Sequence, residues 1–401
     1  MKLRADYTRY FLAYMTILFY SLCIPSSQYI PVGIALTALI CFITKVSSVD
    51  ATVFTVVLFA GAYFALESFM KYSLMNRVIF GITIICLYFL GFNWIRVIRG
   101  NVSDKFDLEK SLSKSLNLIY YGFAFYLISS FAFTVISGKI INSFSRDFYV
   151  IWNGGYGNPT HYETISCIPL GFGIYHLLAY KGRKSRLVDV IILSLILVAN
   201  AMMSNRATFV CFLLFVGMSV VLNNIGKSFS RSTRITLETI TIILVLYLIW
   251  DNNIFGIQDF ASNIPVIQRI NHLNLHGYED PRIERQIYII THFFDHTSGG
   301  GYFNNLIGEC HNVWLDVYDY AGLIPFVLFV ILSVDVIWSA LKLLKANRCK
   351  EIIVLVASMF VAFLFEPVIR SVPNLFILYF FAVGLIRYLS SQKYPRENDP
   401  I

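Results

Sequence analysis

Gly308-Glu-Cys-His-Asn-Val-Trp-Leu-Asp-Val-Tyr-Asp-Tyr-Ala-Gly-Leu-Ile-Pro325 joins the longest polar segment of the chain to an apolar run near residues 322–341. The junction reads as the point where the chain re-enters a membrane, with a His-Asn pair and two carboxylates at its mouth. Working outward, the same alternation recurs: apolar runs of about 18 residues, each long enough to cross a bilayer, separated by short polar links.

The chain has 401 residues, of which 57% are hydrophobic and 14% charged, and a mean hydropathy of +0.65. Soluble domains carry roughly a quarter charged residues. A β-barrel would instead show alternating segments of about ten residues. The composition therefore predicts an all-α polytopic membrane protein. Twelve spans are expected, near 8–24, 29–45, 52–69, 78–95, 117–137, 162–180, 187–203, 207–224, 235–251, 322–341, 351–368 and 374–390. They form a single transmembrane domain over residues 1–401. A large loop at 252–320, with short helices of its own, interrupts it. The first run, near Tyr10–Ile24, is followed by no small-residue cleavage site and reads as a retained span. The seven cysteines are scattered and show no metal or disulfide spacing.

Charge orients the chain. With the N-terminus in the cytoplasm, 23 of the 32 Lys and Arg fall on the cytoplasmic side. Only Lys71, Arg77, Lys139, Arg146, Arg206, Arg269, Arg282, Arg285 and Arg370 fall outside. That bias satisfies the positive-inside rule and accounts for the net charge of +8 without nucleic acid as a partner. Both termini are then cytoplasmic. Two external segments stand out, Gly138–His161 and Asp251–Tyr320, and long loops in compact proteins usually carry function.

External cations are few, so each is informative. Arg206 sits in Met202-Met-Ser-Asn-Arg-Ala-Thr208, between two runs with almost no link. It either snorkels to the interface or faces a polar cavity, where its planar fork suits a diphosphate. Arg282, Arg285 and Ile289 share one side of a helix, and Ile287, Ile290, Phe293 and Phe294 give that helix an interfacial apolar face. The helix is expected to stop at Ser298-Gly-Gly-Gly301. Both arginines either meet lipid phosphates, pair with Glu279 and Glu284, or bind an anion. His311 either satisfies a backbone group or accepts a proton near neutral pH. Asp316 and Asp319 follow at helical spacing and orient the helix or polarise a partner. Arg370 is expected to join the anion site, with Glu366 beside it as its neutraliser. Tyr156, Tyr302 and Trp314 are external aromatics suited to stacking on sugars. No phosphate loop, dinucleotide fingerprint, HExxH or Gly-x-Ser-x-Gly occurs, so chemistry without metal or cofactor is the simpler reading.

The pattern His311-Asn-x-x-Leu followed by Gly322-Leu resembles the signature of the O-antigen ligase and polymerase superfamily of bacterial inner-membrane proteins. Ser204-Asn-Arg-Ala is similar to that family's Ser-Arg-x-x motif, with Asn205 as an insertion. Arg285 followed by Gly301 is similar to its loop pattern. The likeness covers roughly residues 150–390. It implies glycosyl transfer in the periplasm, from a glycan on undecaprenyl diphosphate to an acceptor glycan, with inversion. It gives Arg206, Arg285 and His311 catalytic roles; from the residues themselves, Arg282, Asn312, Arg370, Asp316 and Tyr302 are expected to contact substrate. The aromatic-rich composition favours a polymerase, served by a possible chain-length regulator. The alternatives are a ligase acting on lipid A-core and a lipid-oligosaccharide transporter.

Overall fold

The computed structural model describes residues 2–24, 50–70, 73–99, 108–137, 148–179, 183–225, 267–268 and 281–392. In chain order the elements are α1 (Lys2–Ser21), α2 (Thr52–Leu66), α3 (Leu74–Phe92), α4 (Trp94–Arg99), α5 (Leu108–Ile136), β1 (Phe148–Tyr149), β2 (Tyr156–Gly157), α6 (Pro159–Ala179), α7 (Arg183–Met202) and α8 (Ala207–Asn224). They continue with α9 (Pro281–Thr291), α10 (Tyr302–Ile307), α11 (Val313–Ala321), α12 (Leu323–Lys345), α13 (Lys350–Phe365), α14 (Val368–Ser371) and α15 (Pro373–Ser391). The protein is an all-α multi-pass membrane protein. Five described helices, α3, α5, α8, α12 and α15, are long and apolar enough to cross a bilayer. Helices occupy every expected span position that falls on described residues. The spans expected at 29–45 and 235–251, and most of the loop before residue 281, lie outside the described residues.

The helix ends follow local chemistry. Ser73 caps α3, its hydroxyl accepting from the Asn76 N–H at 3.2 Å. Pro373 opens α15, where a missing N–H costs nothing. Lys342 and Lys345 close α12 at the negative end of its dipole. Along α12, Ile324, Val327, Ile331, Val334, Trp338 and Leu341 form an exposed apolar stripe, while Phe329, Leu332, Val336 and Leu343 are buried. An exposed stripe of that length would be a liability in water and is ordinary against lipid.

By contact, the chain divides into two compact units, Met1–Phe123 with Asp280–Ile401, and Ala124–Glu279. The first is built around α15, whose residues from Asn374 to Ile386 are all buried. Apolar side chains gain little by leaving lipid for protein, so association rests on close packing. Two devices supply it. Gly91 of α3 lies against the Phe381 carbonyl, and Gly384 of α15 against the Tyr88 carbonyl, so the two backbones touch. Beside them Phe59, Phe329, Phe363, Phe376, Tyr379 and Phe380 form a network of ring pairs, with Phe59 and Phe380 stacked at 5.6 Å. One charge inside the apolar helices is matched. Arg387 of α15 reaches Asp335 of α12 at 2.8 Å and Asp50 at 3.3 Å, as intramembrane charges require.

The second unit centres on α6, which is buried from Tyr162 to His176 and packs on α7 and α8. Several of its polar residues pair with one another. Glu163 accepts from the Thr208 N–H at 2.7 Å, and Asn200 donates to Ser166 at 3.0 Å. The Gly-rich segment Asn153–Asn158 belongs to a hairpin in which Phe148 pairs with Gly157 and Tyr149 with Tyr156.

The α3–α15 crossing predicts an asymmetry among glycines. Gly91→Ala or Gly384→Ala drives a methyl into a backbone carbonyl and should lower the melting temperature in detergent strongly, at the ~1–3 kcal/mol or more of an overpacked contact. Gly61→Ala, which meets open space, should melt at least as high as the parent. Equal melting of all three would remove the close crossing from the account.

Candidate functional site

The site is built on α9. Pro281 starts the helix, and its spacing divides it into two faces. Ile283, Ile287 and Ile290 are exposed, with Phe294 beyond the last turn. On the other side Ile289 is buried in a cluster with Phe303, Cys310, Leu315 and Tyr318. The expected helix through Phe293 and Phe294 is corrected: α9 ends at Thr291. There the Thr291 hydroxyl bonds the Ile287 carbonyl at 2.9 Å, and His292 Nδ1 lies 2.9 Å from the Tyr288 carbonyl. Side chains that engage the last carbonyls compete with helix continuation.

The polar edge of α9 holds the loop 308–311. Arg285 Nη1 donates to the Glu309 carbonyl at 3.0 Å, and Gln286 Nε2 donates to the Cys310 carbonyl at 3.0 Å. The Arg285 guanidinium crosses Gly308 so closely that a Cβ there would lie 3.2 Å from its carbon. Gly308 also has φ +85°, open to glycine at little cost. His311 has φ +56°, a left-handed conformation that non-glycine residues adopt at a cost of about 1–2 kcal/mol. Asn312 follows as the N-cap of α11, its carboxamide oxygen accepting from the Leu315 N–H at 3.3 Å.

Two carboxylates complete the electrostatics. Glu366, 1% exposed, caps the C-terminus of α13. Its Oε1 lies 3.3 Å from Arg282 Nη1 and its Oε2 lies 3.6 Å from His311 Nδ1. The second distance is within ion-pair range and longer than a hydrogen bond. Glu309 pairs with Arg370, which is half exposed. That pair contributes little stability, as exposed ion pairs do, but it ties α14 to the loop. The expected neutralisation of Arg370 by Glu366 is thus corrected. Pro367 breaks the chain between them, and the carboxylate faces Arg282 and His311 instead. Among the described residues, three arginines and two glutamates stand around the loop, and Arg285 bonds a carbonyl rather than a carboxylate.

The remaining predicted residues have other surroundings. Asp316 is 2% exposed beneath the loop, accepting from the Cys310 thiol at 3.2 Å. Burial holds its carboxyl well above the usual range, with Glu309 and Asp319 adding to the rise and the thiol opposing it. Asp319 accepts from the N–H groups of Phe303 at 2.7 Å and Asn304 at 3.0 Å, and so fixes the start of α10. Tyr302 stacks on His296 at 4.4 Å. Trp314, expected as a sugar platform, packs inside: it stacks on Phe360 at 5.5 Å and donates to Ser333. Arg206 belongs to the other unit. It is the residue before α8, partly buried, on a turn where Ser204 has φ +59°. The inserted Asn205 is fully buried and donates to the Pro159 carbonyl and to Asn200, which anchors that turn.

The structure therefore gathers Arg282, Arg285, His311 and Arg370 around one loop, with Asn312 and Asp316 supporting it. It also adds Gln286 and Glu309, which sequence reasoning did not single out, and gives Glu366 partners other than the one expected. Glu366 left a usable signal: a lone carboxylate at the end of an apolar run, where ionisable groups are costly and so mark function.

Asp316 gives a signed prediction. Its folded pKa lies above its unfolded value near 3.9, so the folded state binds the proton more tightly. Stability from this group is present at low pH and is lost as pH rises from that unfolded value through the folded one. Asp316→Asn mimics the protonated acid. It should melt no lower than the parent at neutral pH and should flatten the pH dependence above pH ~4. A variant several degrees less stable at neutral pH would show that Asp316 is ionised.

No family model matches this chain, and no curated protein matches it.

Proposed function

We propose that the protein is a membrane-embedded glycosyltransferase that polymerises surface-polysaccharide repeat units carried on undecaprenyl diphosphate, working on the periplasmic side of a bacterial inner membrane. The observation that carries the reading is the loop 308–311. It holds an imidazole and is ringed by Arg282, Arg285 and Arg370, and the helix supplying two of those arginines turns an exposed apolar face outward. A lipid-linked diphosphate has the matching parts: an apolar tail for an interfacial helix, and two anionic groups for guanidinium forks. The charge bias that assigns both termini to the cytoplasm and this loop to the outside supports the location.

In this reading Arg282 and Arg285 bind the diphosphate and offset the charge that develops on it as it leaves. His311 accepts the proton of the acceptor hydroxyl. The hydroxyl oxygen bonds to the anomeric carbon as the bond to the diphosphate oxygen breaks. A single displacement inverts that carbon. Asp316 is a supporting group beneath the loop rather than an open anionic contact, because burial favours its neutral form.

The test uses purified protein in nanodiscs with undecaprenyl-diphosphate-linked repeat units alone. Longer lipid-linked chains should form, and His311→Ala should lower the rate about 10²–10⁴-fold, the usual worth of a general base. Product that appears only after lipid A-core is added would convert the reading to a ligase. Full chain formation by His311→Ala would end the base role.

A further inference from the structure

We infer that Glu366 is the positioning residue for His311. Its carboxylate receives the Nδ1–H of the imidazole, which leaves Nε2 as the atom that takes a proton. The catalytic consequence rests on the base role proposed above, but the geometry stands without it. Glu366 is almost wholly buried, and a buried carboxylate is retained only where partners repay its desolvation. Its two oxygens face two different groups, Arg282 on one side and His311 Nδ1 on the other.

Both backbones are fixed, so the pairing is built in. Glu366 N–H donates to the Ala362 carbonyl at 3.1 Å, and Val368 N–H donates to the Glu366 carbonyl at 2.9 Å across Pro367. His311 is held between the Cys310 carbonyl, bonded by Gln286, and Asn312, which caps α11. The imidazole therefore meets the carboxylate through Nδ1, and a carboxylate on one ring nitrogen decides which tautomer is present. The 3.6 Å separation needs a closure of only several tenths of an ångström, and such contacts often tighten when substrate binds. When Nε2 takes the acceptor proton, the imidazolium carries its second N–H toward Glu366 and its charge is balanced there. Among the described residues, the other charged or titratable groups around the pair include Arg282 on α9, Arg285 at the Glu309 carbonyl, the Glu309–Arg370 pair, and the buried Asp316 of α11.

Nitrogen NMR of full-length protein labelled at its seven histidines tests this without any substrate. The His311 resonances are identified by their loss in His311→Gln. Well above the ordinary imidazole pKa of about 6.5, His311 should carry its proton on Nδ1. In Glu366→Ala it should lose that preference. Glu366→Gln must turn its carbonyl to Arg282 and its NH2 to His311, so the ring proton should move to Nε2, and kcat for chain formation should fall about 100-fold or more, with the donor KM changed much less. Glu366→Asp should recover part of that loss. An unchanged tautomer in Glu366→Ala would overturn the inference even if activity fell, since a purely structural carboxylate would do the same. Full activity of His311→Ala would instead remove the base role and leave the tautomer result to decide the positioning.

Discussion

Glu366 sits at the break between two helices, almost without solvent contact, with Arg282 on one oxygen and His311 on the other. A carboxylate so buried is retained where partners repay its desolvation. It joins three parts of the chain that are remote in sequence: the polar edge of α9, the loop before α11, and the end of α13. The rest of the site is arranged around that tie. Arg285 and Gln286 hold successive carbonyls of the loop, Gly308 lets the guanidinium pass, and Asn312 ends the loop by capping the next helix. Cations, imidazole and backbone are fixed together because they share this frame.

Much of the fold was legible because a bilayer leaves few choices. Backbone polar groups in lipid must be paired within the segment, so an apolar run becomes a helix. Runs such as Leu323–Lys345 and Ala207–Asn224 could be placed to within a few residues. What could not be read was which face turns inward. Trp314 looked external by its position in the chain, yet α11 presents it to Phe360 and Ser333 inside the unit. The end of α9 was misplaced for a local reason. Thr291 and His292 take up the last carbonyls several residues before the glycines that appeared to stop the helix.

The candidate site was legible in its residue types and opaque in its pairings. Arg282 and Arg285, three apart, share one helix as expected, whereas nothing in the sequence tied His311 to the loop that Arg285 and Gln286 hold. Glu366 was misread because four-residue spacing to Arg370 suggests a helical pair, whereas Pro367 turns the two apart. Glu309 and Gln286 carried no pattern at all, since bonds to carbonyls and long-range ion pairs leave no periodic trace. Asp316 read as a carboxylate that orients the helix or polarises a partner, and only its burial against Cys310 identifies it as support.

The exposed apolar face of α9 and its cationic edge are two sides of one short helix, and that pairing is the central physical claim. It makes Arg285 the arginine to test, because the contact it makes is with a neutral carbonyl that a diphosphate can replace. The direct measurement is the affinity of undecaprenyl diphosphate, without sugar, for the full-length protein in nanodiscs. Loss of charge-assisted bonds of about 1.5–3 kcal/mol should weaken binding by Arg285→Ala roughly 10- to 100-fold, and Arg285→Lys should recover only part of it. Equal affinity of the parent and Arg285→Ala would contradict the account.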